Sequence, residues 1–196
     1  MDDCDNKTDI FIRGKLINLV VLTEDLIESS SWYKWFNDEL ITENTTHHVF
    51  PNSKELQKTF LKNEINNKKD KIQLGIHHIE DNILIGVISL NKIDHFHKNC
   101  EFSGMIGESN YQTLKFYSEA AKLIISHGFN TLGMMRIAGG TFHEDIQNMV
   151  CRVLGCKHEG IKRSAIYKNG KYNDVYLHSI LRDEFLALKI YNDTKD

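Results

Sequence analysis

Ile83-Leu84-Ile85-Gly86-Val87-Ile88-Ser89-Leu90 is an apolar, branched run with a turn signal, Glu80-Asp81-Asn82, directly before it. A run this short, bounded by turn residues, reads as a buried strand. Outward from it, Ile72 to Ile79 precedes the turn, the central run continues to Ile93, and Cys100 to Gly107 follows. Three successive strands with short connections predict an antiparallel meander.

On the N-terminal side, residues 1–9 are acidic and polar and read as a loose end before a first strand from Ile10 to Leu22. Thr23, with Glu24 and Asp25 behind it, is suited to cap a helix running to about Asp38. Ser53 caps a second helix to about Asn66, with Leu56, Phe60, Leu61 and Ile65 on one face. On the C-terminal side, Tyr117 to Phe129 has helical periodicity, followed by a strand at Met135 to Thr141 and a helix from Asp145 to Leu154. Two strands, Cys156 to Tyr167 and Tyr172 to Leu181, flank Asn169-Gly170, a pair suited to the positive φ angles of a type I′ turn. Arg182 to Ile190 reads as a terminal helix whose Phe185, Leu186 and Ile190 need cover. This order predicts an α/β (α+β) fold with a mixed, mostly antiparallel central sheet and helices on both faces, in one domain over residues 10–196.

The chain has 196 residues and a formal charge of −3, with 41% hydrophobic and 26% charged residues. That is enough apolar material for a full core, and the balance of charge supplies no field that gathers nucleic acid or anionic lipid. No nucleic-acid or membrane partner is therefore expected. No apolar run approaches the roughly 20 residues a membrane helix needs. Met1-Asp2-Asp3-Cys4-Asp5 has no leader-like character, which gives the cytoplasm as the expected location. Cys4, Cys100, Cys151 and Cys156 lack disulfide-scaffold spacing and read as reduced thiols. His95/His97, His47-His48 and His77-His78 do not make a zinc ligand set, so no metal is expected.

Several stretches, in this order and spacing, resemble the GCN5-related N-acetyltransferase superfamily, in the branch of the ribosomal-protein-alanine N-acetyltransferases and sugar-amine N-acyltransferases. They are Leu22-Thr23-Glu24-Asp25-Leu26 leading to Trp35-Phe36-Asn37-Asp38, Ile85-Gly86-Val87-Ile88-Ser89-Leu90, and Glu101-Phe102-Ser103-Gly104-Met105-Ile106-Gly107-Glu108. Leu154-Gly155-Cys156, Glu159-Gly160 and Asn169-Gly170-Lys171-Tyr172-Asn173-Asp174-Val175 complete the set, which spans nearly the whole length. The resemblance implies transfer of an acetyl or similar short acyl group from coenzyme A to a primary amine by direct attack in a ternary complex, with acetyl-CoA as co-substrate. It also implies a splayed central strand pair, with backbone groups of Met105, Ile106 and Gly107 holding the pantetheine.

The family's pyrophosphate loop corresponds to Gln112-Thr113-Leu114-Lys115-Phe116-Tyr117-Ser118, opening a helix. Lys115 stands where the family has glycine, and Tyr117 where it has glycine or alanine. Two readings follow: the helix terminus binds phosphate with Lys115 adding charge, or the loop is degenerate and the chain is a non-catalytic coenzyme-A-binding or interaction module. Glu144, Gln147 and Cys151 occupy the places where relatives carry asparagine, a small residue and often a tyrosine acid; Asn148 takes the asparagine role if the alignment slips, with Cys151 beside the coenzyme sulfur.

Glu101 and His143 are the candidate proton acceptors, one on the splayed strand and the other at the end of Gly139-Gly140-Thr141. Asp38, Tyr172 and Asp174 are candidate acceptor contacts. Regions around Gly139-Gly140-Thr141 and Asn169-Gly170-Lys171-Tyr172 resemble sugar N-acyltransferases, which implies an amino sugar, nucleotide-linked, as the acceptor. The alternative acceptor is a protein N-terminus, and a homodimer is a family expectation.

Overall fold

A computed structural model describes residues 8–188. One eight-stranded sheet runs through it in the order β1-β2-β3-β4-β5-β6-β8-β7. The strands are β1 (Ile10–Arg13), β2 (Ile17–Val21), β3 (Ile72–His78), β4 (Ile83–Asp94), β5 (Asn99–Ile106), β6 (Arg136–Thr141), β7 (Lys157–Lys168) and β8 (Lys171–Leu181). All neighbours are antiparallel except β5 and β6. The helices are α1 (Glu24–Ser29), α2 (Trp32–Trp35), α3 (Lys54–Phe60), α4 (Leu114–Asn130), α5 (Glu144–Leu154) and α6 (Arg182–Ala187). α4, α5 and α6 cover one face over a core that includes Ile76, Ile88, Phe102, Ile124 and Phe129, while α1 to α3 cover the other around Trp32, Trp35 and Val87. Among the described residues no helix is long and apolar enough to cross a membrane.

The meander matches its sequence reading to within a residue or so at each end, because β4 is buried along most of its length and its register is fixed from both sides. Asn169 and Gly170 take φ angles of 52° and 77°, as a type I′ turn requires. Four elements differ. The expected strand from Ile10 to Leu22 is a hairpin, its turn held by the Glu119 carboxylate of α4, which accepts from the N–H groups of Lys15 and Leu16. The expected helix to Asp38 breaks into α1 and α2, since Ser29 and Ser30 turn their hydroxyls onto the Asp25 and Leu26 carbonyls at the end of α1. Beyond α3 the chain continues as a π-helical stretch over Leu61–Asn66, burying Gln57 and Leu61 and leaving Leu56 exposed. The terminal helix ends at Ala187, and Ile190 lies outside the described residues.

β7 is an exposed edge strand, and its register against β8 slips at two bulges. Gly160 (φ 141°) stands at the first and Ser164 (φ 49°) in the second.

Candidate active site

The feature that makes a site is a fork in the sheet. β5 and β6 pair only at Asn99 with Arg136, Cys100 with Ile137 and Glu101 with Ala138. β5 then stays on β4 as far as Ile106, while β6 stays on β8 as far as Thr141. The β6-facing edge of β5 beyond Glu101 therefore has no strand partner; the Ile106 carbonyl at its end accepts from the Gln112 amide at 3.3 Å, and the backbone groups before it are open to a ligand. A cleft of about 770 Å³ fills the fork.

One end of the cleft is lined by Met105, Ile106, Gln112, Thr113, Leu114 and Tyr117. α4 starts here with Thr113 as N-cap, and the Thr113 hydroxyl makes no capping bond. The N–H groups of the first helical turn thus face the cleft end without an internal partner, and the helix dipole adds partial positive charge. Lys115 does not fill this space: its ammonium lies 4.4 Å from the Phe116 ring centroid, outside the cleft lining. Phe116 is buried in the core, and the Ser118 hydroxyl donates to the Lys115 carbonyl. Tyr117 turns inward, its hydroxyl pushed up to about 12 by burial. The uncapped terminus and the unpaired strand edge together fit a coenzyme A thioester, with phosphates on the first and the pantetheine amides on the second.

The other side is floored by the sheet. The Ser89 and Ser103 hydroxyls are 3.0 Å apart, and the Asn91 amide donates to both at 2.9 and 3.0 Å. Gln73 joins this floor. The roof is the loop carrying Leu40, Ile41 and residues 43–47. Lys168, on the hairpin opposite, donates to the carbonyls of Thr42 (2.8 Å), Thr45 (2.8 Å) and His47 (3.1 Å), tying the roof down. Burial, with Lys168 and Lys71 nearby, lowers the His47 pKa.

Other candidates from the sequence stand outside the lining. Glu101 is ion-paired with Lys92 at 3.0 Å, about half exposed. His143 precedes α5, its Nε2 buried and its ring 4.7 Å from Phe142. The indole of Trp35 packs on Gly107, whose N–H is bonded to the Ile85 carbonyl. Asn148 is exposed, and Cys151 receives the Gln147 amide at 3.5 Å, its thiol pushed up by burial. Asp38 accepts from Leu40 and Ile41 N–H groups, Asp174 accepts from Ser164 N–H, and Tyr172 rests 5.1 Å from Tyr167 at the hairpin tip. The hairpin reaches the cleft through Ile166 and Val175 instead.

Sequence reading missed the floor residues, the roof, Ile146, Met149 and Val150 of α5, and His178. Ser89 and Asn91 carried a signal, two polar residues at strand period in an apolar run. His178 carried none, because its partner Gln147 is remote in sequence.

A sheet forked at its one parallel pair, beside an uncapped helix, defines an acyl-CoA-type fold. Residues 18–156 match the model of the acetyltransferase (GNAT) domain, and the chain belongs to that family. It is 28% identical over 116 residues to the uncharacterized N-acetyltransferase YoaA of Bacillus subtilis, covering 59% of this chain and 65% of YoaA. The putative ribosomal N-acetyltransferase YdaF of the same organism is 26% identical over 58% of this chain and 61% of its own length. The chain thus spans less than two thirds of the curated relatives it matches. In structure it resembles a spermidine N-acetyltransferase from Vibrio cholerae solved with CoA and spermine (TM-score 0.78, 18% identity, 88% of this chain and 99% of that one). It also resembles the microcin C7 self immunity acetyltransferase MccE solved with acetyl-CoA and AMP (TM-score 0.73, 21% identity, 86% and 93%). At these identities the likeness is one of fold.

Proposed function

We propose that this chain, as one domain over residues 10–196, is an acetyl-CoA-dependent N-acetyltransferase acting on the primary amine of a small, polar, hydroxylated molecule. The observation that carries this reading is the continuity of the cleft, which joins the uncapped α4 terminus and open β5 edge to the polar floor at Ser89, Asn91 and Ser103. The first turn of α4 binds phosphate through backbone N–H groups, and the replacement of the family's small residues at Lys115 and Tyr117 leaves those groups in place. Acetyl-CoA supplies the activated acyl group; the chain orients it along β5 and brings the amine in from under the roof.

The floor favours an amino sugar. Its hydroxyls and amides match ring hydroxyls, and among the described residues the lining holds a single carboxylate, Glu43, where a polyamine would call for several. Lys71, the one lining ammonium among the described residues, suits the phosphate of a nucleotide-linked sugar. Lys168 closes the roof onto the hairpin, which disfavours an extended peptide as acceptor.

The test is a thermal-shift titration with acetyl-CoA, followed by thiol-release assays on amino sugars, their nucleotide-linked forms, spermine and N-terminal peptides. A saturable shift and turnover of the sugars are expected. No shift sinks the acetyltransferase reading, and turnover of peptide or spermine alone overturns the acceptor class.

A further inference from the structure

Gln147 is 2% exposed, and its surroundings fix which end of its amide points where. One terminal atom lies 3.2 Å from the Leu177 carbonyl oxygen, a group that only accepts, so that atom is the nitrogen. The amide oxygen therefore faces His178 Nδ1, at 2.5 Å. An amide oxygen also only accepts, so Nδ1 carries the proton. The remaining hydrogen on the Gln147 nitrogen is shared between His158 Nδ1, 3.2 Å away, and Cys151 Sγ, 3.5 Å away.

His178 is 3% exposed, and burial pushes its pKa down to about 4, against the raising effect of Glu159 and with the lowering effect of His158. A neutral ring with its proton on Nδ1 has a bare Nε2. Among the described residues nothing hydrogen-bonds that atom. It points at Gly139, where a Cβ would fall 2.5 Å from Nε2 and 3.0 Å from the Phe102 ring. Gly139 is the first residue of β6 after its last pair with β5, so the bare nitrogen stands at the apex of the fork.

We infer that His178 is a catalytic residue, its Nε2 taking the proton of the attacking amine, and that Gln147 is the positioning residue that fixes its tautomer. This rests on the acetyltransferase reading. The lone pair of the neutral amine forms the new C–N bond at the thioester carbonyl carbon, and the C–S bond breaks with its electron pair on sulfur. The amine proton passes to Nε2 and from there to the thiolate, which restores the neutral ring. A buried imidazole is a weak base toward free ammonium, so the amine enters unprotonated; its proton becomes acidic only as the C–N bond forms.

The test uses the full chain labelled with ¹⁵N-histidine. His178 is expected as the Nδ1–H tautomer across neutral pH, with an Nε2 signal that moves when acetyl-CoA is added. In thiol release, His178→Gln is expected to lower kcat by roughly 100-fold or more with its acetyl-CoA thermal shift retained. Gln147→Leu releases the tautomer in the spectra and lowers kcat by roughly tenfold. An Nε2–H tautomer in the wild type overturns the proposal, and so does a His178→Gln variant with kcat within about threefold of wild type. Wild type that binds no acetyl-CoA overturns the acetyltransferase reading and this role with it, whichever tautomer is seen.

Discussion

At the α4 end the cleft presents backbone N–H groups, whereas under the roof, a loop tied down by one lysine, it presents side chains that hold one another in place. Recognition by backbone tolerates drift in side chains: Lys115 stands outside the cleft lining, and Tyr117, which lines it, leaves the backbone N–H groups of the first turn in place. Recognition by side chains does not, and under the proposed function Ser89, Asn91, Ser103 and the loop over them are the groups that would select the amine.

The contrast breaks most readily at its backbone end. Lys115→Pro removes one N–H from the first turn while keeping the helix, and is expected to weaken acetyl-CoA by roughly 10- to 100-fold by calorimetry. Lys115→Ala, which deletes the charge alone, is expected to cost only about threefold. Equal losses from the two would mean that the side chain, not the backbone, holds phosphate.

Lys168→Met sharpens the other end. Losing three bonds to roof carbonyls should raise the acceptor KM by roughly tenfold and speed amide exchange over residues 42–47, with acetyl-CoA affinity unchanged. A change in acetyl-CoA affinity instead would show that the two ends are coupled.

Smaller effects read stability. Gly107→Ala drives a Cβ to 2.0 Å from the Trp35 indole, and is expected to cost roughly 1–3 kcal/mol, seen as a Tm lower by roughly 3–10 °C. His178 favours its neutral form on folding, so its contribution is complete above pH 6.5 and is lost as pH falls from 6.5 toward 4. In that window the wild type should lose up to about 3 kcal/mol more than His178→Gln, measured by denaturant titration at each pH.

The strands that frame the fork were legible because Ile83 to Leu90 is buried in strand period and the Asn169-Gly170 turn fixes its own geometry. The breaks at Gly14-Lys15 and Ser29-Ser30 were not, since a carboxylate from α4 makes the first and serine hydroxyls compete with the helix at the second. Met105, Ile106 and Gln112 to Leu114 line the cleft where the sequence order puts them, since local order decides their position. Glu101 is drawn away by Lys92, a partner across the strand pair that no local pattern announces, and Asp38 by its own turn onto the Leu40 and Ile41 N–H groups. The Gln147–His178 pair depends on α5 packing over β8, a contact only the folded chain makes.

β7 has a further consequence. An open strand edge is a template on which another chain can add itself, and twelve residues would make a long one. The bulges at Gly160 and Ser164 cut that edge into short segments and twist it, while Lys162 and Arg163, both exposed, stud it with positive charge. The strand that helps to hold the roof is thereby guarded against edge-to-edge aggregation, and the chain can leave it bare to solvent.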